Sequence, residues 1–135
     1  MPANTIADAG FLVALLDRRD SHHGWAVAQA TGHPPPWHVC EAVLTEGFYL
    51  LEPSVVPLMA LIRRAQLLLS FDLNRNSQPV LALMEKYADV PMSLADACLV
   101  RMSEILADPV ILTTDSNFRI YRRHSRRIVP CVMPG

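Results

Sequence analysis

The chain has 135 residues, 51% of them hydrophobic, and a net charge of −1. This is the composition of one globular domain with room for a core, and it excludes a disordered chain. Cys40, Cys98 and Cys131 are too few and too scattered for a disulfide framework or a CxxC zinc site, and no apolar run approaches a membrane span.

In chain order, Thr5–Ala7 reads as a strand that stops at Asp8. Phe11–Leu16 reads as a helix ended by the charged DRRD. Ser21 is placed to cap a helix through Trp25 to Ala30, and GHPPP breaks it. Trp37–Cys40 is a second strand and Glu41–Leu51 a helix stopped by Pro53. Pro57–Ala65 is the next helix, with Pro57 suited to a first turn. Leu67–Phe71 is a third strand, Gln78–Tyr87 a helix, and Ser93 opens a helix to about Ala107. Val110–Thr113 and Ile128–Met133 are the fourth and fifth strands. Strands alternating with helices predict an α/β fold with a mainly parallel five-stranded sheet, in one domain over residues 1–135. The opening MPANTIADAG has no basic segment followed by an apolar one, so the expectation is a soluble, cytoplasmic protein without membrane contact.

Charge is uneven. Seven cationic and thirteen acidic side chains precede Phe118, a balance of −6, and the remaining five arginines give +5. The acidic body is the place to look for cation ligands. The tail FRIYRRHSRR reads either as a phosphate contact or as a solvated turn.

Four acids stand out. In parallel α/β sheets ligands bind beyond the carboxyl ends of the strands, and Asp8 and Asp115 directly follow the first and fourth strands. Each could equally be a turn or cap aspartate. On a helix advancing about 100° per residue, Glu41, Thr45 and Glu52 form one polar stripe. Glu46 lies off it, flanked by Ala42, Val43, Tyr49 and Leu50. Arg101, Glu104 and Asp108 form a charged stripe from which Asp96 is excluded, although Ser93-x-x-Asp96 also fits a capping box. Two acids at strand ends and two on inward helix faces suit Mg²⁺ or Mn²⁺, which take oxygen ligands and can activate water for phosphodiester hydrolysis. No Ser-His-Asp, P-loop or GxGxxG pattern offers a rival chemistry. A receiver-type module is disfavoured because the only lysine is Lys86, mid-chain. A haloacid-dehalogenase-type phosphatase is disfavoured because Asp-Ala-Gly follows the first strand where DxD would be needed.

The stretches IADAGFLVALLDRRDSHH, VLTEGFYLL, MSLADACLV and ILTTDSNFRIYR, in this order, resemble the PIN domain, specifically VapC-like toxins of toxin–antitoxin pairs. The resemblance spans nearly the whole chain. It implies an α/β/α sandwich and a Mg²⁺- or Mn²⁺-dependent endoribonuclease, homodimeric and inhibited by a cognate antitoxin. The catalytic and metal-holding acids it implies are Asp8, Glu46, Asp96 and Asp115, with Thr114 as a supporting hydroxyl. Ala9 stands where Thr or Ser is frequent, and Asn117, a further supporting residue able to bind through its carbonyl, stands where an Asp is common, which leaves one metal or two open. The alternative is a PIN-fold module that binds without cutting. The RNA-backbone contacts expected from the tail are Arg119, Arg122 or Arg123, with Arg119 and Arg122 sharing a face if the tail is helical. The apolar stretches Val55–Leu69 and Val80–Met84 are the expected partner surfaces for the dimer and for an amphipathic antitoxin segment.

Overall fold

The computed structural model describes residues 4–135, so the first three residues of the opening stretch lie outside it. Among the described residues there are seven strands and six α-helices. The strands are β1 (Asn4–Ala7), β2 (Trp37–Val39), β3 (Leu67–Leu69), β4 (Pro109–Leu112), β5 (Arg122–Arg123), β6 (Arg127–Ile128) and β7 (Cys131–Val132). The helices are α1 (Ala9–Leu16), α2 (His23–Gly32), α3 (Glu41–Leu51), α4 (Val56–Arg63), α5 (Leu73–Lys86) and α6 (Leu94–Ile105). A 3₁₀ turn, η1, covers Ser116–Arg119.

The main sheet runs β3-β2-β1-β4-β7, and every pairing in it is parallel. The expected α/β fold with a five-stranded sheet is therefore present, wholly rather than mainly parallel. Chain order reverses between β1 and β4, whose register pairs Ala7 with Leu112. These central strands are covered by helices on both faces, which is why they read as continuous apolar runs. Thr5, Ile6, Ala7, Ile111 and Leu112 are buried. Phe11 packs edge-on against Trp37 at 5.1 Å between ring centroids. Helix α1 packs on α2 and α3, and α5 packs on α6.

Four expectations change. Helix α2 begins at His23 with no side-chain cap; the Ser21 position is superseded by Asp20, whose carboxylate accepts the His22 N–H at 2.8 Å. Helix α5 begins at Leu73, five residues earlier than expected, because Asp72 caps it through the Arg75 N–H. Its first turns, Asn74–Gln78, are polar, and Pro79 sits inside the helix, so the apolar period is silent there. Helix α6 ends at Ile105, and Asp108 lies beyond it with a positive φ of 47°. Asp108 therefore leaves the proposed stripe, in which Arg101 and Glu104 do pair at 3.3 Å. The tail is not helical after η1: β5 and β6 form a hairpin, and the fifth sheet strand is only Cys131–Val132, paired with β4.

Candidate active site

Each of Asp8, Asp96 and Asp115 starts a helix. Asp8 follows β1 in extended conformation and caps α1, its Oδ1 accepting the Ala9 N–H at 2.7 Å. Ser93 caps α6 by accepting the Asp96 N–H, and Asp96 Oδ2 accepts the Ser93 N–H in return, completing the capping box. Asp115 starts η1 and accepts the Asn117 N–H at 2.9 Å. In a parallel sheet, the helix after a strand begins at that strand's carboxyl edge, and the helix before a strand begins at the same edge. Caps of α1, α6 and η1 therefore collect where chain order reverses, and helix N-termini carry partial positive charge that favours anions there.

The hydroxyl of Thr113, fully buried, ties two of these acids together. It donates to Asp8 Oδ2 at 2.6 Å and accepts the Asp115 N–H at 3.0 Å. The Tyr121 hydroxyl lies 3.1 Å from Asp96 Oδ2 and 3.2 Å from the Pro91 carbonyl, one proton between two acceptors. Sequence reasoning missed both residues. Thr113 was legible as the strand residue two before Asp115, and Tyr121 as the aromatic three after Phe118, whose ring it meets at 5.2 Å. Thr114 lies against Gly10, where a Cβ would collide with its hydroxyl.

Glu46 is on an exposed part of α3, with Tyr49 66% and Leu50 55% exposed. The expected inward apolar surroundings are therefore half absent, because these two neighbours face solvent. Glu46 nonetheless feels the other acids. Its carboxyl is held above its ordinary value by burial and then by Asp96 and Asp115. Asp96 is raised by burial and then by Asp115. Asp8 is 6% exposed and is pushed up to about 7, mainly by burial, against the Thr113 and Ala9 hydrogen bonds and with Asp96 and Glu46 adding to the rise. The four acids thus share one electrostatic environment, and none takes part in an ion pair among the described residues. As the side chains stand, no three acidic, His or Cys groups among the described residues are arranged to hold one ion.

The three tail arginines differ. Arg122 turns its guanidinium onto the carbonyls of Arg119, Ile120 and Tyr121. Arg123 donates to the Ser103 carbonyl near the end of α6. Arg119 is exposed. Cys40 and Cys98, far apart in sequence, line one small cavity with Phe71 and Leu73.

Residues 5–123 match the model of a protein family described as the PIN domain. No curated protein matches the chain.

Proposed function

The chain belongs to the PIN domain family, whose members are generally nucleases, and on that premise we propose that it is a divalent-metal-dependent endoribonuclease of the VapC-like toxin kind. The observation that carries this reading is the set Asp8, Glu46, Asp96 and Asp115. They stand on four elements, with Asp8, Asp96 and Asp115 at the starts of α1, α6 and η1. The charge of Asp115 reaches Glu46 and Asp96, that of Asp96 and Glu46 reaches Asp8, and none of the four has an ion pair among the described residues. Carboxylates that raise one another's pKa gain from a shared cation, and an all-oxygen set fits Mg²⁺ or Mn²⁺.

Those four carboxylates would hold the ion, which when bound supplies Lewis acidity and a more acidic water. The chain's own residues prepare the site. Thr113 and the Ala9 N–H fix both oxygens of Asp8. Tyr121 and Ser93 orient Asp96. The Asp115–Asn117 turn holds Asp115, and Thr114, packed against Gly10, keeps that turn close to the start of α1. Asp8, whose carboxyl burial raises to about 7, would hold the ion in its deprotonated form. Arg119, with Arg122 and Arg123 behind it, offers positive charge beside an acidic site that would otherwise repel a polyanion.

The same reading takes in a homodimer and a cognate antitoxin in the cytoplasm. Tyr49, Leu50 and Val56, the last 67% exposed, leave apolar surface on α3 and at the start of α4 of the kind partners cover. Among the described residues no helix is long and apolar enough to cross a membrane. The deciding experiment incubates RNA with the Mn²⁺-loaded protein. We expect cleavage that EDTA abolishes and that Glu46→Gln and Asp96→Asn each reduce by about 100-fold or more. Cleavage unchanged in both variants would overturn the assignment.

A further inference from the structure

The β5–β6 hairpin pairs Arg122 with Ile128 and Arg123 with Arg127. Of its three turn residues, His124, Ser125 and Arg126, the first two have positive φ, 48° and 70°. Left-handed positions in a hairpin turn normally call for Gly or Asn. With side chains of this kind the conformation is strained and persists only where the surroundings hold it. Here they do. The Tyr87 hydroxyl accepts the Arg122 N–H at 2.9 Å, and the Ser103 carbonyl accepts the Arg123 guanidinium. Glu104 Oε2 accepts the His124 N–H at 2.7 Å, and Lys86 donates to the Ser125 carbonyl at 2.9 Å. Glu104 is itself braced by Arg101, which also donates to Asn76 on α5. The ends of α5 and α6 thus clamp the turn rigidly.

What this clamped turn displays is charge. With Arg122 and Arg123 committed internally, the outward cations are Arg126 and Arg127. Both are exposed, and among the described residues neither has a side-chain hydrogen bond or ion pair. Strand β5 packs along α6. Asp96 lies at the start of that helix and Glu104, which holds the hairpin turn, lies eight residues on. At 1.5 Å per residue that is about 12 Å, or three to four nucleotides of a stacked strand at about 3.4 Å each.

Resting on the nuclease reading above, we infer that the β5–β6 hairpin is a rigid phosphate clamp in which Arg126 and Arg127 hold the RNA backbone about three to four nucleotides from the scissile bond. It recognises single-stranded phosphodiester backbone and not base identity. The acidic body needs such a contact, because a strand entering the four-acid site meets negative charge there and positive charge at the hairpin.

The test compares the parent with Arg126→Ala/Arg127→Ala by fluorescence anisotropy on single-stranded RNAs of roughly three and roughly twelve nucleotides. EDTA prevents cleavage, and salt is varied. For the longer RNA we expect affinity to fall about tenfold or more and the log–log salt slope to flatten by about 1.4, roughly 0.7 per lost contact. The shorter RNA should bind both proteins alike, and Mn²⁺ affinity and melting temperature should not change. Arg126→Lys/Arg127→Lys should restore the slope, which a merely structural role would not predict. If the parent binds the longer RNA and the alanine variant matches it in affinity and slope, the clamp is overturned while the nuclease reading stands. That holds equally if the variant instead loses only inhibition by an acidic protein partner. A parent that neither binds nor cuts RNA overturns both.

Discussion

Thr113 shows how much one side chain organises. Its hydroxyl donates to Asp8 and accepts from the backbone of Asp115, so it sets the distance between the two strand ends that carry acids. Thr113→Val keeps the shape and removes the donor. Calorimetry and thermal melting should show weaker Mn²⁺ binding and a loss of about 1–3 kcal/mol of stability, and Thr113→Ser should recover most of both. Asp8 makes a pH prediction with a definite sign. Its folded value of about 7 lies above its ordinary 3.8, so the fold favours the protonated form. The stability this contributes is complete below pH 3.8 and is lost as pH rises through about 7. Metal-free protein should therefore melt several degrees higher near pH 5 than near pH 8, and Asp8→Asn should flatten that dependence. A melting curve that rises toward pH 8 in the parent would contradict the burial of this acid.

Among the elements, the starts of α1, α6 and η1 do two things at once. Capping alone accounts for the local hydrogen bonds of Asp8, Asp96 and Asp115. It does not account for the charge of Asp96 and Asp115 reaching Glu46, or that of Asp96 and Glu46 reaching Asp8, which is what the proposed cation would relieve. The close approach of α1 and the β4–η1 turn depends on Gly10, since any Cβ there meets the Thr114 hydroxyl. Gly10→Ala should cost about 1–3 kcal/mol by overpacking and should lower Mn²⁺ affinity as well, because the strain falls on the segment carrying Asp115. A stability loss with unchanged metal affinity would separate the turn from the site. Pairing Gly10→Ala with Thr114→Ala, which clears the clash, should recover both.

For the whole molecule, the separation of charge into an acidic body and a basic tail becomes spatial: one end of α6 is at the acids and the other supports the cationic hairpin. A cation bound only by the folded state adds stability by mass action, about 2.7 kcal/mol at a hundredfold excess over its dissociation constant. Mn²⁺ should therefore raise the melting temperature. The gain should grow from about pH 6 to about pH 8, because Asp8 must shed its proton to bind. Absence of any Mn²⁺-dependent shift at millimolar concentration would count against the shared site.

The sequence by itself determined the α/β alternation, the five sheet strands near their true places and the Ser93 capping box, and it singled out the four acids as candidates. Each is a local signal: apolar runs of strand length, a helical period, a cap three residues from its partner, a carboxylate just past a strand. Helix α5 was half hidden because its polar first turns face solvent and are held by Asp72, leaving no apolar period to read. Glu46 was singled out for neighbours that proved half exposed, because a helical wheel shows which residues share a face but not what that face meets. Tertiary structure alone decided that the Thr113 hydroxyl serves two acids and that Tyr121 reaches Asp96. It also decided that Arg122 and Arg123 turn inward while Arg126 and Arg127 face out. Arg122 bonds carbonyls within three residues of itself, but Thr113, Tyr121 and Arg123 depend on partners 20 to 105 residues away, Asp8, Asp96 and Ser103, and local periodicity carries no information about which distant group will be there to accept a hydrogen bond.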